Sequence, residues 1–298
     1  MPIRPLFPSS FALLALVVLG GQTQLYGPQG AEGTPDRMQQ WLVPTPLPDR
    51  SAHALLFRPP GDGPFRLAVI AHATTQNALR RAQMPQPEYR ALAAFLVARG
   101  FAVLVAERLG HGATAGEYLE EQGGCENADY ERSGRATAAQ IVGALNYLRG
   151  QPFVRPDGAV VIGHSGGGWG ALALAGEDPK AVAAIIAFAP GRGGHANDTD
   201  NAICAPATLM SAAGRFGRGA RVPVTWLVAQ NDSYFSPDFS RKLVEAYRAG
   251  GGKAAFTVLP AFGNEGHWLA ESEAGIRLAA ADLDRALKPP ARGTGKQR

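Results

Sequence analysis

The segment Gly163-His164-Ser165-Gly166-Gly167 has the spacing G-x-S-x-G. The apolar run Val160–Ile162 comes directly before it, and small residues follow from Gly168. A sharp strand-to-helix turn would hold Ser165 in a strained conformation, and side chains at the flanking glycines would collide there. The helix N-terminus would place the Gly166 N–H beside the reacting centre. The pattern predicts a nucleophilic serine; the alternative is a glycine-rich turn that only packs closely or binds an anion.

A serine hydroxyl is a poor nucleophile without a base. Of the six histidines, His267 lies after the last predicted strand, in a loop before the final predicted helix. Asp232 follows an intervening apolar run, residues 222–229. Because all three side chains would lie at strand carboxyl ends, we predict a Ser165–His267–Asp232 triad. Glu265 is the rival acid, but it lies only two residues from His267 and would hardly reach behind the imidazole.

The elements that must position these residues alternate between about residue 51 and residue 288. The strand-like segments are almost entirely apolar, which is typical of strands buried on both faces of a sheet. Their alternation with helices predicts an α/β fold with a doubly wound, mostly parallel sheet. The predicted strands are His53–Phe57, Leu67–Ala71, Ala102–Ala106, Ala159–Ile162, Ala183–Phe188, Val222–Val228 and Ala255–Leu259. The predicted helices are Glu88–Arg99, Arg132–Arg149, Gly168–Ala175, Pro237–Ala249 and Ser272–Leu287.

Four further segments surround or interrupt this domain. Residues 1–25 are predicted to be a secretory signal, since Arg4 precedes the apolar run Phe11–Leu19 and two glycines follow it. The run is about half of the ~20 residues needed to span a bilayer, which favours a cleaved signal over a permanent anchor. Residues 26–50 are predicted to be a linker or extended lead-in, 189–221 a loop-rich lid, and 289–298 a flexible tail. We therefore expect an exported protein, periplasmic or secreted, with no membrane span after signal removal.

Composition narrows the classes of function. Hydrophobic residues make up 46% and charged residues 18%, which is typical of a chain with a large core and excludes disorder and coiled coils. The net charge of +4 is small, and no basic block accompanies it, so a nucleic-acid partner is not expected. No histidine or cysteine spacing matches a metal site, so we expect no metal and no other cofactor. Nothing in the sequence specifies an oligomeric state.

With Gly163–Gly167, Gln230-Asn231-Asp232 and Gly266-His267, residues 50–288 resemble the α/β-hydrolase superfamily, nearest to its dienelactone-hydrolase-like branch. The resemblance implies the α/β-hydrolase fold and the Ser…Asp…His order of that superfamily. Where the superfamily usually has His-Gly-x, this chain has His72-Ala73-Thr74, and the resemblance implies a second oxyanion N–H there. Thr74 is the expected donor, with Ala73 the alternative because it replaces glycine. Dienelactone hydrolases use a cysteine nucleophile and act in the cytoplasm, unlike the protein expected here.

Five residues beside these motifs are candidates for substrate binding. Arg192 and His195 open the predicted lid and would suit a substrate carboxylate or phosphate, although loop packing and a solvated charge explain them equally. Tyr234 and Trp268 are predicted to be pocket walls, with core packing as the alternative. His111 follows another strand end and is either a substrate contact or a structural residue of that turn.

We therefore expect an exported serine esterase that cleaves a carboxylic ester or lactone of a small molecule through an acyl-enzyme. The alternatives are a peptidase or acyltransferase on the same triad, or a non-catalytic binding protein on a hydrolase scaffold.

Cys125 and Cys204 are the only two cysteines. The loops that carry them would both start at strand carboxyl ends and so lie on one face of the domain. An exported protein also folds in an oxidising compartment, so we predict a disulfide between the two cysteines. Two unpaired buried thiols are the alternative.

Overall fold

The computed structural model describes residues 26–176 and 182–288, and these residues form one nine-stranded sheet with helices on both faces. The strands are β1 (Gly27–Pro28), β2 (Gln39–Pro44), β3 (Ser51–Phe57), β4 (Arg66–Ala71), β5 (Phe101–Ala106), β6 (Ala159–His164), β7 (Val182–Phe188), β8 (Val224–Ala229) and β9 (Ala254–Leu259). The helices are α1 (Ala78–Ala82), α2 (Arg90–Val97), α3 (Tyr130–Arg149), α4 (Gly166–Gly176), α5 (Pro206–Gly217), α6 (Pro237–Ala249) and α7 (Glu273–Ala286). The signal predicted for residues 1–25 and the tail predicted for 289–298 lie outside the described residues.

The sheet runs in the order β1-β2-β3-β5-β4-β6-β7-β8-β9. The six strands from β5 to β9 pair in parallel, and β1, β2 and β3 pair antiparallel at one edge. This is the α/β, mostly parallel sheet that the alternation of apolar runs predicts, and that prediction is confirmed. Parallel strands bring their carboxyl ends to one edge, so the loops after β4, β5, β6, β7 and β8 meet there.

Two apolar layers cover the sheet. One layer contains buried side chains of α3 to α6, including Tyr130, Trp169, Phe216 and Tyr247. The other contains side chains of α2 and α7: Leu92, Leu96, Ile276 and Leu283. Helix α6 shows why these segments are helical, because its buried residues Ser240, Leu243, Val244 and Tyr247 recur at the spacing of one helix face. Among the described residues, no helix combines the length and the apolar character needed to cross a bilayer.

Residues 26–50, predicted to be a linker or extended lead-in, contribute the strands β1 and β2 to the sheet. Strand β2 pairs along its whole length with β3, and β1 pairs with β2. The reason is a period of two: Gln39, Trp41 and Val43 are buried, while Gln40 between them is exposed. The lead-in therefore extends the sheet on its antiparallel edge.

The segment 189–221 is a loop only in its first part. Helix α5 occupies residues 206–217 and begins with Pro206, which is well tolerated in a first helical turn. Its buried residues Leu209, Ala212, Ala213 and Phe216 follow a helical period that is visible in the sequence. The structure thus differs from a continuous lid, because α5 packs into the core and only the loop before it borders the site described below.

A disulfide joins Cys125 to Cys204, as predicted, with the two Cα atoms 5.0 Å apart. Cys125 lies in the loop between β5 and α3, and Cys204 lies at the end of the loop between β7 and α5. The carbonyl oxygen of Cys204 also accepts a hydrogen bond from the Tyr130 hydroxyl. The disulfide therefore connects two loops on the carboxyl-end side of the sheet.

The double variant Cys125→Ser/Cys204→Ser is expected to lose about 4 kcal/mol of unfolding free energy, because a cross-link over this length of chain restricts the unfolded state. Urea unfolding of the oxidised protein, the reduced protein and the variant measures the loss. The reduced protein should match the variant. Thiol titration of the denatured protein should find two free thiols after reduction, and finding them before reduction would contradict the disulfide.

Candidate active site

Ser165 lies at the turn between β6 and the first residue of α4, with φ at 54°. A non-glycine residue seldom adopts this left-handed conformation, and here the glycines around it permit the tight turn. A Cβ on Gly163 would lie 2.5 Å from the carbonyl oxygen of Gly167, and a Cβ on Gly167 would overlap the carbonyl of Ala71. The turn predicted from G-x-S-x-G therefore exists, and it places the serine at the carboxyl edge of the sheet.

His267 and Asp232 form a buried pair on two neighbouring loops. Asp232 follows β8, and His267 lies in a 3-10 turn over Gly266–Glu271. The Nδ1 of His267 is 3.0 Å from Oδ2 of Asp232, and both residues are 2% exposed. Because a carboxylate only accepts, Nδ1 carries the proton and Nε2 is left as the basic nitrogen. Oδ1 of Asp232 accepts the N–H groups of Tyr234 at 2.9 Å and Phe235 at 2.8 Å, which fixes the carboxylate.

Glu265, the rival acid, bonds the main chain rather than the imidazole. Its Oε1 accepts the N–H of His267 at 2.8 Å and the N–H of Ser233 at 3.2 Å. Its Oε2 accepts from the Ser233 hydroxyl. Glu265 therefore ties the histidine turn to the loop that carries Asp232, and the geometry leaves Asp232 as the carboxylate behind the ring.

A cavity of about 870 Å³, called here the main cavity, brings Ser165 and His267 together. Among the hydrogen bonds of the described residues, none joins the Ser165 hydroxyl to His267; such bonds are often long without substrate and tighten in the complex. The loop residues 121–125 and 191–198 border the same cavity, together with both cysteines. In the described part of the chain, no three His, Cys, Asp or Glu side chains are grouped to hold a metal ion.

Two backbone N–H groups are available beside the serine. The Gly166 N–H is at the first position of α4, where no intrahelical acceptor exists. The Ala73 N–H donates to the Tyr89 hydroxyl at 3.1 Å, so of the two alternatives Thr74 is the one whose N–H is free among the described residues. A Cβ on Gly166 would lie 2.6 Å from Cγ2 of Thr74, so the two segments are in contact. Gly166 and Thr74 are thus neighbours, and their N–H groups remain the expected oxyanion donors.

His111 does not line the main cavity, contrary to its candidacy as a substrate contact. It is fully buried, its Nδ1 lies 3.1 Å from the carbonyl oxygen of Arg108, and its Nε2 accepts from the Thr74 hydroxyl at 2.6 Å. Burial lowers the pKa of His111 to about 4, so the ring stays neutral. Its place is beneath Thr74, whose side chain it orients.

Arg192 borders the main cavity, but it is not a free cation for a substrate anion. It is 2% exposed, and its guanidinium bonds Glu120, the Tyr118 hydroxyl at 2.8 Å and the Thr137 hydroxyl at 3.0 Å. Glu120 neutralises it, so the predicted role in binding a carboxylate or phosphate is not supported. Among the described residues, the Nε of Arg192 has no hydrogen-bond partner; this buried atom lies 3.3 Å from where a Cβ of Gly166 would be.

Glu120 pairs at the same time with Arg108, which is also buried. Burial acts to raise the pKa of Glu120, but the two guanidinium groups outweigh it and hold that pKa well below its usual range. Arg108 also donates to the carbonyl oxygen of His72 at 2.8 Å. Two cations against one carboxylate leave a net positive charge beneath Thr74 and Gly166, where an oxyanion would be stabilised.

Tyr234, His195 and Trp268 all line the main cavity, but they present different surfaces. Tyr234 stacks between His195 at 3.7 Å and His267 at 4.2 Å, measured between ring centroids. Both faces of the tyrosine are therefore covered, and only its edge and hydroxyl can touch a substrate. His195 is held by the Ser233 hydroxyl at 2.6 Å. Trp268 is 40% exposed and is the aromatic wall most available to a substrate.

Two residues missed by the sequence analysis connect the site loops. His164 donates from Nε2 to the carbonyl oxygen of His267 at 2.8 Å, and its Nδ1 lies 2.9 Å from the Tyr89 hydroxyl. That hydroxyl also accepts the Ala73 N–H. The chain of bonds joins the serine turn, the histidine turn and the Thr74 loop. His164 stands directly before Ser165 in the motif, which is the one signal that would have singled it out.

The pKa of His267 lies below that of an ordinary imidazole. Burial lowers it, and the negative charge and hydrogen bond of Asp232 raise it only part of the way back. The ring is therefore neutral at neutral pH, which is the state a general base requires.

Comparison with known proteins agrees with this fold. Residues 87–200, which include Ser165, match the family model described as the prolyl oligopeptidase family. No curated protein sequence matches the chain. A puromycin-hydrolysing peptidase of Mycobacterium tuberculosis superposes with a TM-score of 0.57 at 16% identity, over 83% of this chain and 39% of that one. A cold-adapted esterase from an Arctic intertidal metagenomic library superposes with a TM-score of 0.57 at 19% identity, over 88% of this chain and 100% of that one.

A Klebsiella pneumoniae protein assigned as a dienelactone hydrolase superposes with a TM-score of 0.53 at 15% identity, over 84% of this chain and 98% of that one. At such low identity these likenesses show the fold alone, and the chain has the α/β-hydrolase fold, as its resemblance implied. This chain spans between 35% and 43% of three peptidases that it resembles, so those proteins carry much that is not matched here.

Asp232→Asn is expected to slow labelling of Ser165 by a fluorophosphonate probe by about 10³–10⁴-fold, because the amide favours the wrong imidazole tautomer. The second-order labelling rate measures the loss. Glu265→Gln is the matched control, since its amide oxygen can still accept the His267 N–H. A greater loss in Glu265→Gln than in Asp232→Asn would make Glu265 the acid.

The rate of labelling of Ser165 is expected to rise with pH, with a midpoint below about 6.5, because the base must be neutral and its pKa is depressed. In Asp232→Asn the midpoint should move further down, since the charge that raises the pKa of His267 is gone. Labelling rates from pH 4 to 8, with circular dichroism to check the fold at each pH, measure both. A wild-type midpoint above 6.5, or an upward shift in the variant, would contradict this assignment.

Proposed function

Taking the chain as a serine hydrolase of the α/β-hydrolase fold, we propose that it is an esterase that cleaves small carboxylic esters or lactones. One observation carries the proposal. Ser165, at a strained strand-to-helix turn, lines the same cavity as His267, whose Nδ1 is 3.0 Å from the Asp232 carboxylate. Nucleophilic acyl transfer needs a nucleophile, a general base and a carboxylate that orients the base, all at one site.

In this mechanism Nε2 of His267 takes the proton of Ser165 as the serine oxygen attacks the ester carbonyl. Asp232 keeps the proton on Nδ1 and stabilises the imidazolium that forms. The N–H groups of Gly166 and Thr74 bind the oxyanion, each contributing about 3–4 kcal/mol of transition-state stabilisation. The protonated His267 then gives its proton to the leaving alcohol. Water, activated by the same nitrogen, hydrolyses the acyl-enzyme and restores Ser165.

Small substrates are supported by the size of the main cavity. Its volume of about 870 Å³ falls within the ~300–1,000 Å³ range of small-molecule sites. The cold-adapted esterase and the protein assigned as a dienelactone hydrolase are covered almost completely by this chain. The puromycin-hydrolysing peptidase is covered over 39% of its length. The fuller coverage of the esterase supports the esterase proposal over the peptidase.

Peptide hydrolysis is the second candidate, and the match of residues 87–200 to the prolyl oligopeptidase family favours it. The same triad cleaves amides when the leaving amine is protonated by the histidine. Parallel kinetics on esters and on aminoacyl amides of the same acyl group separate the two candidates. An amide kcat/KM equal to or above that of the matched ester would favour the peptidase.

We also propose that the protein is exported. The apolar run Phe11–Leu19 has the length of a signal segment, and the Cys125–Cys204 disulfide suits an oxidising compartment. Intact mass spectrometry of protein from the periplasmic and external fractions checks the proposal, since a chain lacking about its first 25 residues is expected there.

Ser165→Ala is expected to abolish ester turnover and probe labelling, because removal of a triad nucleophile costs several orders of magnitude in kcat. A panel of p-nitrophenyl esters of graded acyl length, with lactones alongside, measures turnover, and circular dichroism confirms that the variant folds. Activity above about a tenth of the wild-type value would exclude Ser165 as nucleophile. Labelling without turnover of any ester or lactone would exclude the esterase proposal but keep the nucleophile.

A further inference from the structure

A second cavity of about 500 Å³ adjoins the main cavity and is called here the side cavity. The two cavities share Thr74, Thr75, Arg80 and Trp268 as lining residues. Thr74 carries one of the N–H groups beside Ser165, and Trp268 follows His267. A substrate whose carbonyl is held at Ser165 can therefore extend past Thr74 and Trp268 into the side cavity.

The walls of the side cavity are mainly apolar and aromatic. They consist of Met84, Pro85, Pro87, Tyr89 and Trp268, with polar groups between them. The ring of Tyr89 is buried, while that of Trp268 is 40% exposed. Aromatic faces of this kind pack against aliphatic chains and attract cations.

One carboxylate in this lining, that of Glu271, has an oxygen available for a new partner. Glu271 lies 3.3 Å through Oε1 from the Tyr89 hydroxyl and 3.4 Å from Nδ1 of His164, while Oε2 has no hydrogen-bond partner among the described residues. Its side chain is 44% exposed. Glu88, the other carboxylate of the lining, is instead paired through both oxygens with Arg90, at 2.5 and 2.9 Å. The two carboxylates thus differ in whether they can take a new partner.

The charge of Glu271 is retained at neutral pH. Partial burial acts to raise the pKa of Glu271, but interaction with His164 and the hydrogen bond from Tyr89 outweigh burial, and that pKa lies below its usual value. Arg90 is already neutralised by Glu88. Arg80 is exposed at the mouth that both cavities share, where water and salt screen its charge.

We propose that the side cavity binds the terminal ammonium group of an amino-substituted acyl chain, with the amine on Glu271 and the methylene groups on Trp268 and Tyr89. The amine is separated from the scissile carbonyl by several bonds, because Ser165 lines the main cavity and Glu271 lines the side cavity. The assignment deepens the proposed esterase function and rests on it for the reaction, but not for the binding of the amine itself.

The kinetic test compares phenyl 6-aminohexanoate with phenyl heptanoate, in which a methyl group replaces the ammonium. Glu271→Gln is expected to lower the ratio of kcat/KM for the amino ester to that for the neutral ester by at least about tenfold, as expected for a lost charged hydrogen bond. The double variant Glu88→Gln/Arg90→Gln, which removes the other carboxylate of the lining together with its partner, is the matched control and should leave the ratio unchanged. Equal losses on both esters would make Glu271 a positioning residue for Tyr89 and His164, and would overturn the proposal. An unchanged ratio, or the same fall in the control double variant, would overturn it too.

Calorimetric titration with hexylammonium and with 1-hexanol tests the site without turnover. Hexylammonium should bind the wild-type protein and the Ser165→Ala variant alike, and at least about tenfold more weakly to Glu271→Gln, while hexanol binding should not change. If no ester is hydrolysed but this pattern is found, the esterase proposal fails and the amine site stands. If hexylammonium binds Glu271→Gln as well as wild type, the amine site is overturned whatever the enzyme hydrolyses.

Discussion

Glu120 stands between Arg108 and Arg192, and the geometry of the candidate site depends on this buried group. Arg108 and Glu120 come from the loop between β5 and α3, and Arg192 comes from the loop between β7 and α5, so the three charges join the same two loops that the disulfide joins. Charges taken out of water are costly, and loss of one partner from such a group destabilises a protein by about 3–5 kcal/mol. The group is therefore tolerated only when complete, and its completeness fixes the loops around Thr74 and Gly166.

Around this charged centre the histidines are held neutral. Burial lowers the pKa values of His72 and His111, with Arg108 acting in the same direction. A neutral imidazole can accept one hydrogen bond and donate another. His72 does so between two backbone groups, and His111 does so between a backbone carbonyl oxygen and the Thr74 hydroxyl. The positive charge beside Thr74 and Gly166 thus comes from the two arginines. Because Glu120 carries one negative charge, the group of three has a net charge of about one.

The parts of the molecule that follow from local patterns were predictable from the sequence. Ser165 was predictable because the strand, the glycines and the helix that strain it are neighbours in the chain, and the sheet followed from apolar runs. Helix α5 carried a helical period, but its position between loop-like residues concealed it. Glu120 could not be predicted, since its partner Arg192 is 72 residues away. Tyr89 and Glu271, separated by 182 residues, meet only in the fold.

The stacking of His195, Tyr234 and His267 limits how the imidazole can move. One face of the His267 ring lies against Tyr234, Nδ1 is fixed on Asp232, and the main-chain oxygen of the same residue is held by His164. These contacts therefore oppose a mechanism in which the ring flips between two orientations, one to receive the proton and one to deliver it. The same nitrogen, in one position, must face both the serine and the departing group. The departing group must consequently lie in front of Nε2 when its bond to the acyl carbon breaks.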